Sequence, residues 1–403
     1  MTCSTDCTSR ILPPLEESVD GCPAIVTTAG AATFKPKPPV TGMKSKGRPR
    51  LDWLTRLRFF AALMVVLLHS VSNAHNDVAI SKIPILDHIA SVGYLGVTFF
   101  FVLSGFVLSW SAPDRDTAWA FLQRRFARIY PVHFATWAMS GVGQALLAPK
   151  AGGLLSIFMP LVLLQSWFPY QDIYFGMNGV SWSLSDEFFY YAMFPIFLAV
   201  LRIGRLSELT VGALAFLVSL LASLAALSLL ANTEPVWVNP LFGVMQFIVG
   251  VAAGWATRKG FRLNLPPLIA VTICVVSYGA LAEWDVYLFR TQGTLLDRPL
   301  ASTLFIVPMV VLLLSMASYD LNRNSQQKGR DLLVRLGDWS FGLYMIHPLI
   351  LAFAVRVLHV RPSDSLPQSL ATEIVFVVIC VLASGAFYRF YEMPLERRLR
   401  PAP

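Results

Sequence analysis

Long apolar stretches recur along nearly the whole chain, and that recurrence limits the possible folds more than any motif does. Eleven segments approach the length that a hydrocarbon core of about 30 Å requires. They lie at about 56–74, 89–111, 130–147, 153–168, 186–201, 208–231, 236–256, 264–283, 299–318, 340–359 and 370–390. In lipid each backbone amide must be paired within its own segment or a closed sheet, and these lengths suit helices. Hydrophobic residues make up 55% of the chain and charged residues 14%. Together with a mean hydropathy of +0.59, those proportions exclude an ordinary soluble domain. The expected fold is all-α: a polytopic transmembrane helix bundle of about ten spans with one extra apolar segment. The first twenty residues are polar and include acids, so no cleavable signal peptide is expected and the first apolar helix serves as the insertion signal.

Charge sets the expected orientation. Lys44, Lys46, Arg48, Arg50, Arg56 and Arg58 precede or open the first helix, which places the N-terminus in the cytoplasm. If residues 153–168 do not cross, the clusters at Arg124/Arg125/Arg128, Arg202/Arg205, Arg258/Lys259/Arg262, Arg323 to Arg335 and Arg397 to Arg400 fall on that same side. From Lys44 onward the cytoplasmic segments then carry 22 Lys and Arg against five outside. The count favours ten spans with both termini cytoplasmic, in a plasma or inner membrane. Residues 153–168 would be re-entrant, interfacial or packed within the outer part of the bundle. The net charge of +8 is thereby explained by orientation, and no nucleic-acid partner is implied.

Residues 1–50 are rich in Pro, Thr and Lys and lack apolar periodicity, which predicts a disordered cytoplasmic tail. The membrane domain is expected over 51–400. Cys3, Cys7 and Cys22 match no common zinc spacing, Cys274 and Cys380 lie in apolar helices, and neither a metal site nor a disulfide is expected. No internal or inverted repeat is evident.

Several polar groups stand out against this background. Arg58 and His69 are eleven positions apart, roughly 16 Å along a helix. Arg58 alone sits where the positive-inside rule puts such residues. His69 lies inside an apolar run, where an ionisable group is costly and a neutral imidazole is a ready general base. Ser104 follows a run of small and aromatic residues that would let a second helix approach closely, and it is a possible polar lining. Arg124, Arg125 and Arg128 suit bidentate binding of phosphates, although a basic loop serving topology alone would look the same.

Trp182-Ser-Leu-Ser185-Asp186-Glu187 opens a further helix, where Ser183 or Ser185 could cap and Asp186 could meet the helix dipole. Glu187 and Tyr191 share a face at a spacing of four. Pointing inward, Glu187 could orient His69 or act as its acid–base partner. His347 before Pro348 reads equally as a packing hydrogen-bonder or a catalyst. Glu392 beside Pro394 is expected to fix the last helix end against a basic loop.

The combination resembles the acyltransferase 3 family of integral membrane O-acyltransferases, which modify surface polysaccharides, peptidoglycan and antibiotics. The resemblance is carried by Arg58-x10-His69, Phe100-Phe-x-Leu-Ser-Gly105, Arg124-Arg125-x2-Arg128, Trp182-Ser-Leu-x2-Glu187-x3-Tyr191, His347-Pro348 and Glu392-x-Pro394. It implies His69 as the essential base and Arg58 as its functional partner; Glu187, read from its helix face, is the third candidate catalytic group. It also implies that Arg124, Arg125 and Arg128 hold the acyl donor; Ser104, Trp182, Ser185, Tyr191 and His347 are candidates to line the site. No permanently bound cofactor is implied; acyl-CoA (acetyl-CoA) is implied as the acyl donor substrate. The acceptor would be a hydroxylated small molecule or glycan, with the lipid bilayer as surroundings.

Two positions depart from the family pattern. Thr98 stands where many members carry an acid, and the Tyr of the Glu187 motif matches either Tyr190 or Tyr191. The stretch from Phe106 to Tyr130 resembles compact members that acylate macrolides. Direct transfer is favoured because no nucleophile motif is evident, with Ser104 and Ser185 as the residues of an acyl-enzyme alternative. The competing class is a transporter or flippase with an Arg-His-Glu pathway, and a third is a membrane scaffold whose polar groups only tie helices together.

Overall fold

The computed structural model describes residues 48–71, 80–113, 117–147, 153–230, 233–292, 297–322 and 331–400. The expectations for the N-terminal tail up to residue 47, including Cys3, Cys7 and Cys22, lie outside the described residues. The helices are α1 (Asp52–Val71), α2 (Pro84–Ala90), α3 (Leu95–Ser111), α4 (Ala118–Leu147), α5 (Leu154–Leu161), α6 (Gln171–Tyr174), α7 (Trp182–Ile203) and α8 (Glu208–Leu229). They continue as α9 (Glu234–Trp237), α10 (Pro240–Arg258), α11 (Pro267–Gln292), α12 (Arg298–Asn322), α13 (Leu332–Arg356), α14 (Leu366–Phe387) and α15 (Met393–Leu399). No strand occurs among the described residues. The protein is a polytopic helical membrane bundle.

Ten long helices overlap the ten expected spans. Eight helical stretches have the length and apolarity to cross a membrane. Of the other two, α3 has 17 residues, and α4 has 30 residues but carries the Arg124/Arg125/Arg128 cluster in its first half. The segment 153–168 does not cross. Its helix α5 has 8 residues, about 12 Å at the helical rise, and a 3-10 turn over Gln165–Trp167 follows. The segment expected as one helix over 89–111 is divided by a turn between α2 and α3.

Close backbone approach locks α3 into the centre of the bundle. A Cβ on Gly96 would stand 2.4 Å from the Ala61 carbonyl of α1, and one on Gly105 would stand 2.2 Å from the Phe247 carbonyl of α10. From the other side, a Cβ on Gly250 would be 2.0 Å from the Val102 carbonyl. Such contacts exclude every side chain but hydrogen and give the dispersion energy of a membrane interface its closest range.

α1 is held at its first turns. Arg56 is buried, stacks over Trp53 at 4.6 Å, and donates to Asp331 from Nη2 at 2.6 Å. The Trp53 amide donates to Asp320 near the end of α12, so α12 runs antiparallel to α1 and Arg298 lies toward the His69 end. Cys274 and Cys380 are free thiols, the second fully buried in the core.

Candidate active site

Two cavities lie end to end inside the bundle, and Val97 and Tyr344 line both. The first, about 100 Å³, is lined by Arg58 of α1, Ser104 of α3, Arg125 and Arg128 of α4, and Glu187 and Tyr191 of α7. Three guanidinium groups and one carboxylate therefore share a small space. Ser104 Oγ donates to Glu187 Oε1 at 2.9 Å, and the Tyr191 hydroxyl donates to the same oxygen. The i, i+4 spacing on α7 puts the tyrosine above the acid, as helix geometry dictates. Tyr190 turns away, packing edge-on against Phe101 at 5.1 Å and donating to Asp186. Tyr191 is thus the tyrosine that accompanies Glu187.

Arg125 Nε is buried without a hydrogen-bond partner, and its guanidinium lies 5.7 Å from the Phe121 ring. A buried donor left unpaired is costly, and this one belongs to a cavity that three guanidinium groups line. Glu392 faces Arg58 and Arg128 electrostatically from a π-helical turn at Tyr388–Glu392. It is 2% exposed, and its Oε2 has no hydrogen-bond partner. The expected role of Glu392 at a surface basic loop is replaced by a buried position against the two site arginines.

The second cavity, about 360 Å³, is lined by His69, Tyr94, Trp182, Trp237, Glu234 and Arg298, with Phe175 and Pro348 at its side. Arg298 Nη1 donates to Glu234 Oε1 at 2.6 Å, and the Tyr174 hydroxyl donates to Oε2 at 3.1 Å. Trp182 and Trp237 pack with ring centroids 4.5 Å apart and planes tilted by 56°.

His69 is held against His347. His347 Nε2 and His69 Nδ1 are 3.2 Å apart, His69 Nδ1 is 2.9 Å from the Val65 carbonyl, and His347 Nδ1 is 3.1 Å from the Leu343 carbonyl. A carbonyl only accepts, so with both rings neutral each Nδ1 carries its proton. His347 Nε2 then accepts from His69 Nδ1–H, and the lone pair of His69 resides on Nε2. One histidine fixes the tautomer of the other, as second partners commonly do for catalytic imidazoles.

Not every expected site residue converges. Among the described residues His347 lies beside His69, whereas Glu187 lines the neighbouring cavity with the arginines. Arg58 likewise lines the Glu187 cavity and not the His69 one. Arg124 lies beside Arg125 in α4 but is not among the residues lining the cavity. Ser185 is buried and donates to the Leu163 carbonyl at 2.8 Å, so it lines neither cavity. α7 starts at Trp182, earlier than a Ser183 or Ser185 cap requires, and Ser183 instead bonds the Tyr344 hydroxyl at 2.8 Å. Asp186 is fully buried inside the bundle and does not serve the exposed first turn of a helix. Sequence reasoning missed Tyr94, Glu234, Trp237 and Arg298. Their aromatic and charged side chains at helix ends read as a membrane-interface belt.

Comparisons with known proteins identify the family. The acyltransferase domain model of the acyltransferase 3 family matches residues 51–389. The chain belongs to that family of membrane acyltransferases and is an O-acyltransferase. It is 30% identical to the acyltransferase MdmB of Streptomyces mycarofaciens over 87% of this chain and 92% of that protein. It is 28% identical to the exopolysaccharide production protein ExoZ of Rhizobium meliloti, over 78% of this chain and 92% of that one. It is also 21% identical to the peptidoglycan O-acetyltransferase OatA of Listeria monocytogenes, covering 76% of this chain and 52% of the relative. No solved structure matches the chain.

Proposed function

We propose that this protein moves a short acyl group, acetyl or a close homologue, from acyl-CoA to a hydroxyl of a sugar or of a secondary metabolite such as a macrolide. The observation that carries the reading is the tandem arrangement of the cavities. Arg58, Arg125 and Arg128 line one, His69 lines the next with His347 bonded behind it and lining neither, and Val97 and Tyr344 line both.

In this reading the donor's phosphates meet Arg125 and Arg128 at the cytoplasmic mouth, with Arg58 above them. The thioester arm runs past Tyr344 toward His69. Glu187, tied by Ser104 and Tyr191, offsets the mutual repulsion of the guanidinium groups and holds them in one cavity. The acceptor hydroxyl gives its proton to His69 Nε2 as its oxygen attacks the thioester carbonyl. The tetrahedral intermediate collapses with loss of the CoA thiolate, which takes that proton back from the imidazolium. The new ester and free thiol leave, and no residue is acylated. His347 stabilises the imidazolium by accepting from Nδ1–H.

The test is thiol release from acetyl-CoA by the purified full-length protein across a panel of hydroxylated acceptors. Release is expected to require both an acceptor and His69, with His69→Ala slower by about 10² to 10⁴ while it still elutes as a folded protein. Release that survives His69→Ala undiminished would remove the base from the mechanism.

A further inference from the structure

A third space, about 1000 Å³, runs along the flank of the bundle between α4, α13 and α14. Both α4 and α14 pack on α13, and the groove is the gap left between them. It adjoins the His69 cavity, and Gln171, Phe175, Gly179 and Pro348 line both. Its volume is at the upper end of small-molecule sites, far more than an acyl group or a proton path needs.

The groove is chemically divided. Met139, Phe353 and Ile379 line it and are exposed apolar residues of the long helices. Gln144, Asp172 and Arg356 supply polar groups toward the α5–α7 connection. Asn178, also in the lining, is 2% exposed and donates from Nδ2 to the Met345 carbonyl at 2.9 Å. Its Oδ1 is buried with no hydrogen-bond partner. A buried amide oxygen left unpaired is costly, and a hydroxyl donor entering the groove beside Gly179 would satisfy it.

We propose that this groove admits the acceptor, and that the acceptor is an amphiphile dissolved in the bilayer. Its apolar body lies between α4 and α14, and its hydroxylated head turns in at Asn178 toward His69. The proposal rests on the acyl-transfer reading of the His69 site. It adds to that reading a lateral entrance, a positioning residue in Asn178, and a selection for acceptors that carry an extended apolar body.

Gly143 of α4 makes the proposal testable. It lines the groove, and a Cβ placed on it meets nothing within 4 Å, so a large side chain there fills the groove without displacing the core. Protein in nanodiscs is given acetyl-CoA and a series of alkyl β-glucosides with tails from two to eight carbons. Burial of each methylene is equivalent to about fourfold, so wild-type kcat/KM is expected to rise at least about a hundredfold across the series. In Gly143→Trp, and independently in Ala352→Phe on α13, the rise is expected to flatten to below about tenfold. Partitioning into the bilayer also grows with tail length, but it is the same for every variant.

A rise that persists unchanged in both variants reports partitioning alone and overturns the groove, as does a wild type indifferent to tail length. Photo-crosslinking with an octyl glucoside carrying a diazirine at the tail end supplies an arm independent of turnover. Adducts are expected on the groove faces of α4, α13 and α14 and are lost in Gly143→Trp. Absence of acyl transfer with adducts present would reject the acyl-transfer reading and retain the groove. Transfer without groove adducts would do the reverse.

Discussion

At the scale of single residues the site depends on the pairing of two imidazoles that stand 278 positions apart in sequence. His69 is proposed to move the proton, and His347 to hold it in the tautomer that can. These two roles give different signatures. His347→Leu removes an acceptor without adding a donor, so kcat is expected to fall by up to about tenfold, the worth of one hydrogen bond, while the KM for acyl-CoA stays put. His347→Gln offers a carbonyl oxygen to His69 Nδ1–H and is expected to recover part of the loss. An unchanged kcat in His347→Leu would make the pair a packing contact. The arginines predict the opposite split. Arg125→Ala or Arg128→Ala is expected to raise the donor KM about tenfold to a hundredfold, as the loss of a charge-assisted contact to phosphate implies, and Arg124→Ala to raise it least. Steady-state kinetics in acyl-CoA reads all three.

At the scale of elements the helices are positioned by contacts that tolerate little change. Gly105 follows Ser104, and its missing Cβ lets the Phe247 carbonyl of α10 come within reach of α3. Gly105→Ala must part the two helices or bend one, at about 1–3 kcal/mol as for other overpacked sites. It also moves Ser104 away from Glu187, so both melting temperature and donor KM are expected to suffer together. Asp331 is the N-cap of α13, accepting from the Val334 amide at 2.8 Å and pairing with Arg56. The Arg56 hydrogen bond, then the amide, hold its carboxyl below the ordinary value. A depressed carboxylate stabilises the fold above the unfolded pKa of about 3.9 and loses that contribution as pH falls through the folded value. Asp331→Asn keeps a good cap but drops the ion pair, whereas Asp331→Ala drops both. The expected order of melting temperature near pH 7 is wild type, Asn, Ala, and the gap between wild type and Asn closes as the buffer is taken into the acid range. Thermal unfolding followed by tryptophan fluorescence at several pH values measures it.

At the scale of the whole molecule, what could be read from sequence was what local pattern determines. Apolar length located the ten long helices, and a spacing of four put Glu187 and Tyr191 on one face. Periodicity fixes the face a residue occupies but not which helix that face meets. His347 against His69, Glu392 against Arg58 and Arg128, and Asp186 turned inside the bundle were therefore out of reach. So was Asn178, which lies in a short connection with no period at all. The clustering of Arg58, Arg125 and Arg128 at one end of the cavities and Glu234 with Arg298 at the other has a consequence for direction. If the basic loops face the cytoplasm, acyl-CoA can meet its arginines from that side only, and the charge of its phosphates bars it from crossing the apolar core. In sealed vesicles of uniform orientation, checked by labelling an engineered cysteine at Pro403→Cys, thiol release is expected only when acyl-CoA is supplied on the face that carries the C-terminus. An amphiphilic acceptor that dissolves in the bilayer is expected to work when added to either face, since it reaches the groove from within the membrane. Donor turnover from the opposite face would invert the positive-inside orientation while leaving the two-cavity geometry as it stands. Acceptor activity confined to one face would place the acceptor's entrance at an aqueous mouth near Glu234 and Arg298.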